Sequence, residues 1–242
     1  MTLEKVKKTL AQQVPGLGEK LTIAEKYSKD HPIGPVTLPK LVALYIMGSL
    51  FGIVMEGTFC FFFHGGWETH VVSMFLPLCV LYGFGAAIFY AGNVALQCKS
   101  FILRIIVFGI MGSFIELVAG WILDNGMHMY AWDYSQQIPN YHGYISLGMT
   151  FAWGLIGTTF YFILPRFEHT FRFLKGHAWH AVSVVLAIFL MADLVFTMRC
   201  IARWSERIVY SAPPSSKMEQ MIDEKFPDDF MANRFVEWKF RK

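Results

Sequence analysis

Charge is what this chain has least of. Lys, Arg, Asp and Glu make up 16% of its 242 residues, where soluble domains carry about a quarter. The net charge is only +3, and no basic patch with interleaved aromatics stands apart, which argues against a nucleic-acid surface. Cysteine is sparse too. Cys60, Cys79, Cys98 and Cys200 lie in or beside apolar runs with no CxxC or zinc spacing, and read as small packing residues. There is no GxxxxGK[ST] phosphate loop, so the chain cannot by itself hold ATP in the P-loop manner. Gly16-Leu17-Gly18-Glu19-Lys20 lacks the preceding strand such a loop needs. No GxSxG elbow or HExxH pair occurs either. The first residues show no signal-peptide pattern, so the first apolar helix is expected to direct insertion.

Apolar residues, in contrast, are abundant: 55% of the chain, with a mean hydropathy of +0.41. They gather in runs of about 20, the length a helix needs to cross roughly 30 Å of hydrocarbon. Five spans are predicted, Leu38–Phe63, Val71–Leu96, Phe101–Leu123, Gly143–Leu164 and Ala178–Cys200, so the expected fold is an all-α polytopic membrane bundle. Residues 1–37 read as a cytoplasmic segment in which Leu3, Val6 and Leu10 oppose lysines on an amphipathic helix. Residues 38–200 form the bundle. Residues 201–242 read as an extramembrane tail with a short helix near Met218–Lys225.

Segments 64–70 and 124–142 contain no Lys or Arg, whereas the alternate connections carry Lys99 with Arg104, and Arg166, Arg172 and Lys175. The positive-inside rule therefore places the N-terminus in the cytoplasm and the Lys/Arg-free loops outside. The fifth span breaks this scheme by putting Arg199, Arg203 and Arg207 outside. Either it does not fully cross, or the tail is an exception, or the helix count is off by one.

Gly48-x-x-x-Gly52-x-x-x-Glu56 and Gly112-x-x-x-Glu116-x-x-x-Gly120 place an acid inside two apolar helices at matching depth. Intramembrane acids are costly and face a bundle interior, a partner or water. The nearby glycines let another backbone approach, so these faces are packed. Trp67-Glu68 and Trp132-Asp133 follow in the next loops, and Gly83 and Gly143 in the return segments. The pattern is that of a parallel two-helix repeat. Glu56 and Glu116 read either as a shared site for a cation, proton or cationic ligand group, or as structural acids bonded to Trp or Tyr. Trp67, Trp132 and Tyr134 would shape the entrance on the first reading. Asp133 reads as a turn-forming acceptor or as an acid at the mouth. His64, His70, His128 and His142 lie near the outer loops without metal-site spacing, and no metal is expected. Asp193, Arg104 and Arg199 are expected to offset one another as charges between helices.

The stretch Gly112-x-x-x-Glu116 to Trp121, then Trp132-Asp133-Tyr134-Ser135, Gly143 and the run to Trp153, resembles the bacterial ABC-transporter type IV (CmpB-like) family. It is similar too to the transmembrane protein 229 family. Gly52 to Glu56, Trp67-Glu68 and Tyr82-Gly83 fit the same pattern more loosely. The resemblance implies a permease-like component of a bacterial cytoplasmic membrane, with no established substrate, cofactor or catalytic residue set. If ATP drives it, a separate ATPase subunit docks near Lys99 and Arg166–Lys175. Five spans are few for a whole transporter, which points to an oligomer embedded in lipid. A membrane enzyme acting on a lipid or isoprenoid, with the glutamates as acid and base, and a structural or regulatory partner remain as alternatives.

Overall fold

The structure, a computed structural model, describes residues 33–67, 71–96 and 99–241. The amphipathic segment expected before residue 33, together with Glu68, His70 and Cys98, lies outside them. Helices α1 (Leu38–His64) and α3 (Phe101–Met127) have 27 residues each, about 40 Å at the α-helical rise. Helix α2 (Val80–Ala95) has 16. Helices α4 (Leu147–Phe160) and α5 (Leu164–Thr170) form a pair bent by 46°, and α6 (His177–Tyr210) runs for 34 residues. Two short helices follow, α7 (Lys217–Lys225) and α8 (Asp228–Arg234). Strand β1 (Met129–Tyr130) pairs antiparallel with β4 (Lys239–Phe240), and β2 (Asn140–Tyr141) with β3 (Ile145–Ser146). Among the described residues α1, α3 and α6 are long and apolar enough to cross a membrane, and the bent pair adds a fourth candidate. The all-α polytopic bundle is therefore what the chain forms.

Three predicted spans are corrected in extent. The second is helical only from Val80; residues 71–79 are non-helical and mostly buried. Pro77 has no N–H to give a helix, and the freed backbone finds other partners. Met74 N–H donates to Thr197 Oγ1 at 2.9 Å, and Arg234 donates to the Ser73 and Leu76 carbonyls. Irregular backbone survives among apolar spans only when protein supplies such bonds. The fourth span begins at Leu147, not Gly143, because Gly143 (φ 72°) turns the β2–β3 hairpin. Ser146 then caps α4 by accepting from Met149 N–H at 3.2 Å. The helix breaks at residues 161–163, just before Pro165, which has no N–H to give the Tyr161 carbonyl and so opens α5 instead of continuing α4. The fifth runs ten residues past Cys200, so the expected boundary at 201 falls inside α6.

This extension accounts for the three arginines that offended the charge rule. The far end of α6 lies beside the C-terminal end of α3, where Ser205 Oγ donates to the Met127 carbonyl and Arg241 meets Asp124 at 3.0 Å. Residues 211–240 fold back over this end around a core of Trp204, Ile222, Met231, Phe235 and Trp238. Within the resulting cap, Arg199 pairs with Glu206 and Glu219, Arg203 with Glu206 and Asp223, and Arg207 with Asp223 and Asp228. The arginines are neutralised locally, so α6 runs the length of the bundle without leaving unpaired charge there.

The cap carries a pH dependence. Arg203, hydrogen-bonded to Asp223, holds that carboxyl below the usual carboxylate range, and the Ser215 backbone N–H does the same for Glu219. Groups with depressed folded values stabilise the fold above their unfolded values, about 4, and lose that contribution as pH falls through the folded values. Cap tryptophan fluorescence should therefore hold steady from pH 7 to about 5. Below about pH 4 it should shift, before any loss of helical circular dichroism from the bundle.

Candidate functional site

The two hairpins, α1–α2 and α3–α4, place their acids in matching surroundings. Glu56 on α1 is half-buried and accepts from the Tyr82 hydroxyl at 2.7 Å. Glu116 on α3 is 2% exposed and accepts from the Tyr134 hydroxyl at 3.0 Å. The Trp153 indole faces Glu116 as well. Its Nε1 and the second carboxyl oxygen, Glu116 Oε2, nonetheless stand outside bonding geometry, each buried without a partner. Leaving a buried acceptor unsatisfied costs about 1–3 kcal/mol, so Oε2 is the obvious place for a donor to enter.

The glycines set how closely each return helix approaches. A Cβ on Gly52 would sit 2.6 Å from the Tyr82 ring, and one on Gly112 2.5 Å from Trp153 Cβ. One on Gly48 would meet Ala86 Cβ at 2.5 Å, and one on Gly157 would meet Phe108 Cβ at 2.6 Å. Gly83 lies against Tyr45 and Gly154 against Ile105. All three pairs of contacts keep one register: α1 positions map onto α3 at an offset of 60, and α2 onto α4 at 71. The counterpart of Gly83 is therefore Gly154, not Gly143.

The outer loop reaches the second acid through Tyr134, which donates to Glu116. Burial pushes the Tyr134 phenol well above its ordinary value, followed by the Glu116 carboxylate and then by Glu56. The hydroxyl therefore stays protonated and donates to Glu116. Tyr134 reaches inward because its loop is pinned. Its N–H donates to the Gly143 carbonyl at 2.9 Å, and Trp132 Nε1 donates to the Tyr144 carbonyl at 2.9 Å. Asp133 is exposed and accepts from Ser135 N–H at 2.8 Å, a local turn rather than a second acid at Glu116. Trp67 folds back against Gly57 of its own helix, although half its surface remains exposed.

The expected offsetting of Arg104, Asp193 and Arg199 does not occur. Arg104 lies at the opposite end of the bundle, donating to Asn93 Oδ1 at 2.8 Å and stacking 3.9 Å from the Tyr161 ring centre. Arg199 takes Glu206, two turns on along the same face of α6, and Glu219 of α7. Asp193 accepts from Ser73 Oγ at 2.6 Å, in the non-helical segment. Sequence reading missed Tyr82 as the partner of Glu56 and Trp153 as the neighbour of Glu116. The available signal was an aromatic followed by glycine, Tyr82-Gly83 and Trp153-Gly154, on each return helix. Pro77 marks a break in the apolar run, but the partners of the freed backbone, Ser73, Thr197 and Arg234, are set by distant contacts that no local pattern shows.

Long apolar helices, acids buried among them and irregular backbone satisfied by protein groups define a polytopic integral membrane protein. The chain belongs to the family described as "Putative ABC-transporter type IV", which matches residues 43–198. No curated protein and no solved structure matches the chain.

Proposed function

We propose that this protein is the membrane component of a transport system, built from a duplicated two-helix unit, and that Glu56 and Glu116 bind a cationic or proton-donating group between the units. The observation that carries this reading is the buried, unpartnered Oε2 of Glu116, beside a Tyr134 hydroxyl that feels both acids. The shared register of the two hairpins supports the duplication. On this reading the N-terminus and residues 1–37 face the cytoplasm of a bacterium, the bundle runs from Leu38 into α6, and the cap built on the end of α6 lies outside. The ligand enters from the cap side, past Tyr134. No phosphate loop occurs in the sequence, so ATP-driven movement takes a separate ATPase subunit.

Purified protein titrated calorimetrically with small monocations (tetraethylammonium, choline, ethanolamine, ammonium) should bind at least one of them. Losing a charge-assisted hydrogen bond is worth about 1.5–3 kcal/mol. Glu116→Gln should therefore weaken binding roughly 10- to 100-fold, and Glu56→Gln less, because its carboxyl is more exposed. Both variants binding like wild type would remove the site.

One observation favours a second reading, in which the acids are packing elements of a structural or regulatory partner. Each already has an aromatic hydroxyl from its own chain. Under that reading both glutamine variants fold normally and restore a deletion strain.

A further inference from the structure

We propose that the elbow joining α4 to α6 binds the anionic headgroups of glycerophospholipids in the adjoining leaflet. This rests on the chain's place in a membrane and not on the glutamate site. The arginines of α6 and the basic residues of the elbow are placed in opposite ways. At the cap end, Arg199, Arg203 and Arg207 are all consumed by carboxylates. At the elbow, Arg166, Arg172 and Lys175 are exposed, and no carboxylate among the described residues pairs with any of them.

The local acid is occupied elsewhere. Glu168, the one acid between residues 161 and 192, is held by Lys40 at 2.6 Å, by the Tyr90 hydroxyl at 2.6 Å and by Gly34 N–H at 2.7 Å. The elbow is therefore a field of one sign.

The second observation is aromatic. Phe167, Phe171, Phe173 and Trp179 form a continuous ladder, with ring centres 4.7, 6.0 and 5.3 Å apart. It carries the chain from α5 into α6, and its last two rings are 53% and 38% exposed. Trp179 stands two residues before the apolar stretch that opens α6 at Ala181. Rings at that level sit where hydrocarbon meets water, and basic side chains beside them meet phosphate. An acidic protein surface would satisfy the charges but would leave the rings without their apolar boundary, so the lipid is the better occupant.

The test uses the full chain in neutral detergent, titrated with phosphatidylglycerol or phosphatidylcholine and read by native mass spectrometry of bound lipid. Wild type should prefer phosphatidylglycerol. Each basic residue near a surface is worth about fivefold in affinity for anionic lipid, so Arg166→Gln/Arg172→Gln/Lys175→Gln should abolish the preference. An unchanged melting temperature in phosphatidylcholine would show that the triple variant remains folded. Lys217→Gln/Lys225→Gln/Lys239→Gln removes equal charge from the cap and should leave the preference intact. An elbow variant that keeps the preference, or a cap variant that loses it equally, overturns the proposal. So does lipid-independent capture of a soluble ATPase subunit by the elbow, which would assign the surface to a protein.

Discussion

Arg203→Ala is expected to be among the most damaging single substitutions, costing about 3 kcal/mol and detaching the cap from the bundle. The Arg203 side chain is 1% exposed and uses its whole fork. It donates to both Asp223 oxygens at 2.9 and 2.8 Å, to Glu206 at 3.1 Å and to the Ala212 carbonyl at 2.9 Å. Removing one partner of a buried pair costs about 3–5 kcal/mol, because the other charge is left uncompensated. The lower end applies here, since Glu206 and Asp223 are part-exposed and water can take over some of the lost bonding. Arg203→Lys keeps the charge but loses the fork, and should fall between the two. A thermal melt, with proteolysis between residues 211 and 216 as a second readout, checks this. An Arg203→Ala protein that melts like wild type and resists cleavage would mean that the ion network does not hold the cap.

Gly154→Ala should separate α3 from α4, with a loss of about 1–3 kcal/mol typical of overpacking. The added methyl would meet the Ile105 carbonyl oxygen, a backbone atom with no side-chain rotation to relieve the clash. Gly83→Ala should do the same to α1 and α2, because its methyl would meet the Tyr45 carbonyl oxygen at 2.8 Å and the Ser49 hydroxyl. Two residues further on, a methyl at Gly85 has no heavy atom within 4 Å. Gly85→Ala should be neutral, or stabilising by up to about 1 kcal/mol through helix propensity. Equal effects at positions 83 and 85 would show that close approach does not govern the hairpin.

How far the sequence could be read depended on whether a signal was local. Apolar runs and the glycines before Glu56 and Glu116 are short-range features, and the bundle and its two acids follow from them. In the proposed repeat, the place of Gly83 falls to Gly154 and not to Gly143. Gly143 stands next to the Trp-Asp-Tyr-Ser loop, whereas Gly154, marked in the sequence only by the aromatic before it, is the glycine that packs against Ile105. Residues 71–79 were read as helix because their composition is apolar. Their real partners, Asp193, Thr197 and Arg234, lie more than 110 positions away. The arginines of α6 looked like a violation of membrane charge asymmetry for the same reason: their acids arrive from a later fold-back of the chain.

Helix α6 is at once the last apolar rod of the bundle and the spine of the polar lid above it, with no break between the two. Any tilt of that rod relative to its neighbours must swing the lid by a lever arm of several turns. Residue 234 of the lid grips the carbonyls of Ser73 and Leu76, so such a swing would pull directly on the irregular stretch that leads into α2. Mechanical displacement at one face can thereby reach the neighbourhood of Tyr82 without any side chain having to change its partner.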